Sequence, residues 1–292
     1  MNEKNEPQLV EAVVEVEGQP EVEGPPVAGT DEEIERLARR KSRRNFLIGG
    51  VTAAAGVGAW QWLRTLPADG GVQWPLRRAH EFNERLARGY FESERLAPTF
   101  PRAAGQMPRV NGGIGLDEGF DPATWKLRVE GLAAQTGAGG DAVELTLDDI
   151  KRLPRVEMVT LLKCIEGWAD MCHWAGARFA DFANAYRPAP RGGGASGVSN
   201  QPEDLVRYVS LETPGRGYYV GLEMASALHP QTLLVYEMDG QPLNLEHGAP
   251  LRLFTPVKYG IKSLKRIGTI RFTDERPADF WAERGYDWYA GH

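Results

Sequence analysis

Gly248-Ala249-Pro250-Leu251-Arg252, followed after a short gap by Lys258-Tyr259-Gly260-Ile261-Lys262-Ser263-Leu264-Lys265, is the stretch on which the reading of this 292-residue chain turns. Residues 251–256 are mostly apolar and predict a strand. An arginine within that run, and a lysine at the end of the string after it, have their stems among apolar strands. Arg252 and Lys265 therefore do not read as ordinary surface cations.

Upstream lies Leu161-Leu162-Lys163-Cys164-Ile165-Glu166-Gly167-Trp168, at the end of a run, 156–164, that predicts a buried strand. Cys164 has three readings from these residues: a soft metal ligand, half of a disulfide with Cys172, or a small core hydrophobe. Cys164, Cys172 and His173 lack the spacing and the fourth ligand of a zinc site. Glu166 reads as an acid acting near the cysteine or as a charged turn residue. Trp168 and Trp174 read as packing or as lining of a substrate mouth, and His173 and His229 as satisfied polar residues.

Outward from there the pattern is strand-rich. Alternation predicts strands at 125–131, 206–212 and 218–222, and further strands at 232–238 and 267–272. Residues 145–154 predict a short strand and then a helix capped by Thr146 or Asp148. Short helices are expected at 179–186 and 224–228, a longer one at 74–96, and a flexible loop at 187–203. The fold class is α+β, mixed and sheet-rich with short helices. Trp281, Tyr286, Trp288 and Tyr289 predict an aromatic tail packed on the domain. The chain carries a net charge of -6, with two cysteines and five histidines, which argues against a nucleic-acid partner and against a disulfide scaffold.

The N-terminus divides into an acidic tail expected to be disordered, 1–38, and a segment 39–66 containing Ser42-Arg43-Arg44-Asn45-Phe46-Leu47 before a mild apolar run. That is the layout of a twin-arginine export signal, cleaved or kept as a membrane anchor. The expected location is the periplasm or the outer face of the cytoplasmic membrane, reached through the twin-arginine translocase. Residues 67–104 form a helical linker, and 105–292 the main domain.

Four segments in order, Asn111-Gly112-Gly113, Lys163 to Trp168, Leu211-Glu212-Thr213, and His247 to Lys265, resemble the molybdopterin-binding domain of the sulfite oxidase superfamily. The likeness is nearest to its bacterial periplasmic methionine-sulfoxide reductase branch and spans about 105–275. It implies a sulfite-oxidase-type fold and a molybdenum–molybdopterin cofactor (Mo-MPT). Cys164 would be the metal ligand and a catalytic residue, with Glu166 beside it. Asn111, Ile114, Gly115, Thr213, His247, Arg252, Ser263, Leu264 and Lys265 would hold the cofactor. Ile114 and Gly115 stand where the family has aromatic residues, and His247 where the reductase branch has asparagine. Lys258 and Tyr259 flank the cofactor-binding string and would face the metal.

The chemistry is coherent. A thiolate completes a soft sulfur set around molybdenum. A terminal phosphate takes a planar bidentate donor and a point charge, here Arg252 and Lys265. The resemblance implies two-electron oxygen-atom transfer on an oxyanion or sulfoxide, with electrons exchanged through a separate haem or flavin partner, one that is possible as a membrane protein. Sulfite oxidases carry arginines soon after the cysteine. Here Glu166 and Asp170 follow it, which favours a neutral sulfoxide over sulfite. Sulfite dehydrogenation, or a cofactor-free binding scaffold at the membrane, are the alternatives.

Overall fold

The structure is a computed structural model that describes residues 30–69, 72–117, 119–133, 142–191 and 203–292. It divides into two compact units, 1–62 and 63–292. In the first, α1 (Asp31–Thr65) is a single long helix. It begins inside the tail expected to be disordered. Local pairs explain this: Arg36 bonds Glu32 at 3.3 Å and Arg39 bonds Glu35 at 2.8 Å, each four residues apart. Its 39–65 portion is long and apolar enough to cross a membrane. The tail before residue 30 and most of the expected loop, 192–202, lie outside the described residues.

The second unit opens with a two-stranded ribbon, β1 (Ala68–Asp69) and β2 (Val72–Gln73), and α2 (Trp74–Tyr90). The helix is shorter than the expected 74–96 and ends before the proline-bearing stretch at 98–108. Two five-stranded sheets follow. One contains β5 (Arg155–Lys163), β6 (Ala169–Arg178), β9 (Leu233–Met238), β10 (Gln241–Pro242) and β11 (Arg252–Phe254), with β9 pairing both β10 and β11. The other runs β4 (Val143–Leu145), β3 (Leu127–Glu130), β12 (Thr269–Thr273), β7 (Tyr208–Glu212), β8 (Tyr219–Glu223). Only β12 and β3 pair in parallel among these. Three short helices connect them: α3 (Leu147–Lys151), α4 (Phe179–Tyr186) and α5 (Met224–Ala227). The mixed α+β class is as expected from the sequence.

Local chemistry sets these boundaries. Thr146 caps α3 in a reciprocal box: the Asp149 backbone N–H donates to Thr146 Oγ1, and the Thr146 backbone N–H donates to Asp149 at 2.7 Å. β9 is apolar on both faces because both are buried. Leu234 and Tyr236 join the main core with Leu127, Val129, Leu211, Phe179 and Ile270. Leu233 and Val235 join a second cluster with Cys172, Trp174 and Phe254. A two-sided strand gives a continuous apolar run and no alternation.

The sequence reading finds no strand at β6, yet β6 is central, paired to β5 on one side and β9 on the other. Its Ala175-Gly176-Ala177 stretch lacks strand-forming residues for a steric reason. A Cβ on Gly176 would stand 2.1 Å from the Leu234 carbonyl oxygen, so the neighbouring backbone admits only glycine.

Candidate active site

Cys164 sits at the tip of the β5–β6 hairpin, one residue beyond the last ladder pair, Lys163↔Ala169. The tip is closed by Cys164 N–H donating to the Trp168 carbonyl at 2.9 Å and Gly167 N–H donating to the Cys164 carbonyl at 3.1 Å. Gly167 has φ +88°, which explains glycine there. The hairpin thus lifts a thiol out of a rigid sheet into a cavity of about 280 Å³. Cys172 lies back along the ladder opposite Thr160, and both cysteines are free, so the disulfide reading falls. Burial pushes the Cys164 thiol pKa up; amide N–H groups of the turn oppose this, and the Glu166 carboxylate adds to it. Asn111 Nδ2 approaches its sulfur at 3.9 Å.

Of the expected residues, Cys164, Glu166, Asn111, Ile114, His247, Arg252, Ser263 and Lys265 line this one cavity. Gly115, Thr213 and Leu264 do not. Gly115 packs against Thr213 and Tyr218, where a Cβ would come within 2.9 Å of both. Thr213 is buried and its hydroxyl closes the turn to Tyr218, accepting from the Tyr218 N–H at 3.0 Å. That turn delivers the Tyr218 ring to the cavity wall, where its hydroxyl donates to the Ile261 carbonyl at 2.6 Å. Leu264 is a core residue. His247 lines the cavity, but its ring nitrogens face Asn244 Oδ1 at 2.7 Å and the Pro108 carbonyl at 3.0 Å. It therefore braces two loops. Burial holds its pKa down.

The lysines of the 258–265 string separate. Lys258 is buried, with Nζ 2.5 Å from Glu223 and over the Tyr289 ring. Lys262 is buried, with Nζ 2.6 Å from Asp279 and over the Trp288 ring. Neither lysine lines the cavity, and nor does Tyr259, which corrects the expectation that Lys258 and Tyr259 face the metal. Lys265 turns the other way. Its Nζ donates to the carbonyls of Asn111 and Gly112, both at 2.9 Å, and burial lowers its pKa to about 8.

Arg252 completes the basic wall. Its guanidinium is buried over Trp174, donating to the His247 carbonyl at 3.1 Å and the Ser263 carbonyl at 3.3 Å. Among the described residues no carboxylate pairs with it, and burial lowers its pKa to about 10. Arg252 Nε and Ser263 Oγ are buried polar atoms with no partner. Native interiors rarely leave such atoms unsatisfied. Two cations without carboxylates and two orphaned polar atoms in one wall fit the phosphate end of a molybdopterin. No cluster of three or more His, Cys, Asp or Glu among the described residues stands ready to hold a metal. A metal at Cys164 would then draw its other ligands from the cofactor's own sulfurs, which suits a lone thiolate.

Besides Trp168 and Glu166, the mouth includes residues the sequence reading places elsewhere. Trp281 and Tyr286, expected as mere tail packing, line it. Arg109 comes in from the loop before Asn111, its guanidinium 4.4 Å over the Trp168 ring and 3.2 Å from Asp170. Trp168 Nε1 donates to Glu166 at 2.8 Å. No local motif marks Tyr218 or Arg109; both reach the site through turns and loops from distant sequence.

Residues 114–281 match the family model described as the oxidoreductase molybdopterin binding domain. The chain is 32% identical over 263 residues to the putative protein-methionine-sulfoxide reductase subunit YedZ1 of Azospira oryzae, covering 88% of this chain and 89% of that one. It is 34% identical over 161 residues to the protein-methionine-sulfoxide reductase catalytic subunit MsrP of Xanthomonas campestris pv. campestris, covering 54% of this chain. It spans 47% of that relative's length. The sulfane dehydrogenase SoxCD from Paracoccus pantotrophus aligns with a TM-score of 0.43 and 15% identity over 54% of this chain and 40% of its own.

Proposed function

Since the chain belongs to the oxidoreductase molybdopterin-binding domain family, a family of molybdenum-dependent oxidoreductases, we propose that it is an exported catalytic subunit that reduces a sulfoxide to its thioether. The relatives named methionine-sulfoxide reductase subunits support that substrate class. The overall change consumes two electrons and two protons and releases water. Bound molybdopterin-held molybdenum supplies the two-electron chemistry at the sulfur–oxygen bond.

The chain's own residues do the rest. Cys164 offers its sulfur from a rigid hairpin tip, and Asn111 Nδ2 is directed at that sulfur. A nearby metal cation would offset the burial that holds the thiol protonated. Arg252, Ser263 and Lys265 take the phosphate, and Tyr218 braces the wall at Ile261. Glu166, exposed at the mouth and bonded by Trp168, places a carboxylate where substrate enters.

The observation that carries the substrate reading is the charge at the mouth. Arg109 is paired with Asp170, and Glu166 adds a negative charge beside Trp168, so the charge at the mouth, among the described residues, disfavours a dianion. Ile165, Trp168 and Tyr286 give an apolar and aromatic rim that suits a neutral sulfoxide. The twin-arginine string and the membrane-length portion of α1 support export to the periplasmic side, with anchoring. The relatives' description as subunits supports a separate electron donor, for which haem or flavin is the chemistry proposed.

Steady-state assays of the molybdenum-loaded protein, with reduced dye as donor, test this. Methionine sulfoxide turnover that disappears together with bound molybdenum in Cys164→Ser is expected. Rapid sulfite oxidation without sulfoxide turnover would sink the substrate reading.

A further inference from the structure

Helix α2 packs on the catalytic domain with its charged face inward. Glu84, 8% exposed, is bonded by Arg88 at 2.8 Å and by Arg276 at 2.7 Å. Arg77 donates to the Ala282 carbonyl at 3.3 Å. Arg77, His80, Glu81 and Glu84 face Arg276 and Asp279 across a polar cavity of about 450 Å³. The opposite side of the helix carries its large apolar residues. Phe82 is 53% exposed, Leu86 47% and Tyr90 77%, with Trp74 and Leu76 also exposed. Positions 82, 86 and 90 recur every four residues and form one stripe. A surface helix ordinarily buries that stripe against its own core. Here it is turned outward, and the inward contacts are the Glu84–Arg276 ion pair, the Arg77 bond to the Ala282 carbonyl and the small Ala87 against Trp288 and Tyr289. The arrangement makes sense when something apolar covers the outer face.

Three observations select what covers it. Trp74 lies nine positions after Thr65, the end of the membrane-length segment 39–65. Nine residues reach roughly 30 Å at most, so a chain anchored there cannot carry the start of α2 far from the bilayer. The exposed apolar residues of the helix also have interfacial composition: Phe82, Leu86 and Tyr90 on the stripe, with Trp74 and Leu76 to either side of it. Arginines 78 and 85 stand exposed beside it, the Arg78 guanidinium 6.0 Å from the Trp74 ring centroid. Long cationic side chains flanking an apolar stripe reach headgroup phosphates while the stripe enters the acyl boundary.

We propose that α2 lies in the lipid–water interface of the outer leaflet, with Phe82, Leu86 and Tyr90 in the headgroup–acyl boundary, and so holds the catalytic domain on the membrane surface. This rests on the reading of 39–65 as a retained anchor. The charged inner face is then the clamp between membrane helix and enzyme, and Glu84 with Arg276 its central pair.

The test uses the full molybdenum-loaded chain in vesicles of phosphatidylcholine and phosphatidylglycerol. An environment-sensitive fluorophore is placed at Leu86→Cys, at Phe82→Cys as a second stripe position, at Val57→Cys within α1, and at Glu144→Cys on the outer edge of the domain. Cys164 and Cys172 are buried, which leaves the introduced thiol as the accessible one. Unchanged molybdenum content certifies each fold. Labels at 82 and 86 are expected to be quenched by headgroup-spin-labelled lipid and shielded from iodide at least threefold relative to 144. A lipid-quenched label at 57 with water-exposed labels at 82 and 86 overturns the interfacial helix and leaves the anchor standing. Iodide shielding at 82 and 86 without lipid quenching overturns it in favour of a protein partner or a second copy. A label at 57 outside lipid overturns the anchor and the proposal together.

Discussion

Two pairs of cations, three of them buried and Lys265 half-buried, come from one short stretch of chain, and they differ in what stands opposite. Lys258 and Lys262 each meet a carboxylate, Glu223 and Asp279, and each packs on an aromatic ring of the C-terminal segment. Arg252, over the Trp174 ring, and Lys265 meet backbone carbonyls and the cavity, and among the described residues no carboxylate pairs with either. A buried charge without a counter-charge is costly, and proteins keep one mainly where a ligand supplies the partner. Residues that look alike in sequence thus divide into two that hold the fold together and two that wait for an anion.

The division breaks most visibly at Lys262. Lys262→Met leaves Asp279 buried and unpaired, which costs on the order of 3–5 kcal/mol. The midpoint of thermal unfolding is expected to fall by roughly 10 °C. The double variant Lys262→Met with Asp279→Asn is expected to recover part of that loss, since the buried charge is gone while the amide oxygen still accepts from the Trp281 and Ala282 N–H groups. Molybdenum content per folded molecule should stay near that of the parent. Loss of metal at an unchanged midpoint would move Lys262 into the cofactor site and erase the contrast.

Arg252→Met is the mirror experiment. The cofactor-free protein is expected to be no less stable, because an unpaired buried charge is gone. Cofactor retention is expected to fall about 10- to 100-fold, the equivalent of one charge-assisted contact worth roughly 1.5–3 kcal/mol. Molybdenum and phosphate analysis after dialysis reads the first effect, and thermal unfolding of the cofactor-free form reads the second. A large drop in stability with cofactor retained would make Arg252 a structural cation like Lys262.

Lys265 sharpens the comparison through pH. Burial lowers its pKa to about 8, below its unfolded value of roughly 10.4. Between those values the unfolded chain holds more protons than the fold, so stability of the cofactor-free protein rises with pH across that window. Anion binding has the opposite sign. The ammonium is present below about 8 and is lost above it, so affinity for inorganic pyrophosphate is expected to decline severalfold from pH 7 to 9. Lys258 also has a pKa lowered to about 8 by burial, so the informative quantity is the difference between parent and Lys265→Met. That difference should vanish if Lys265 does not face the anion.

The string at 248–265 announces a cofactor domain, because order and spacing are properties a sequence displays. It does not announce which lysine faces the cavity. Lys258, Lys262 and Lys265 are equivalent until β8 and the C-terminal segment supply Glu223 and Asp279 from elsewhere in the chain. The strands with clear alternation, β3 and β7, were legible for the same local reason. β6 was not, since its small residues answer to the backbone of β9. Thr213 shows the same limit within the site: its residue type suits a ligand contact, and only the turn to Tyr218 reveals that it acts through a neighbour. Cys164 was the reverse case, odd in its own string and explained by the hairpin that presents it.

The smallest effect expected lies at Arg109, a paired cation at the cavity mouth. Its side chain is about half exposed, and it bonds Asp170. Exposed pairs of this kind contribute about 0.2–1 kcal/mol, so Arg109→Gln should leave stability almost untouched. Its positive charge is already matched by Asp170, and the proposed substrate is neutral. KM for methionine sulfoxide should therefore change by less than about fivefold, the rate equivalent of that energy. Sulfite should become a poorer substrate still, because Asp170 and Glu166 would then face the entrance without a counter-charge. A drop of more than tenfold in sulfoxide turnover would show that a carboxylate-paired cation serves the ligand directly. The rule that pairing separates structural from ligand-binding cations would then hold for the cavity's depth and fail at its rim.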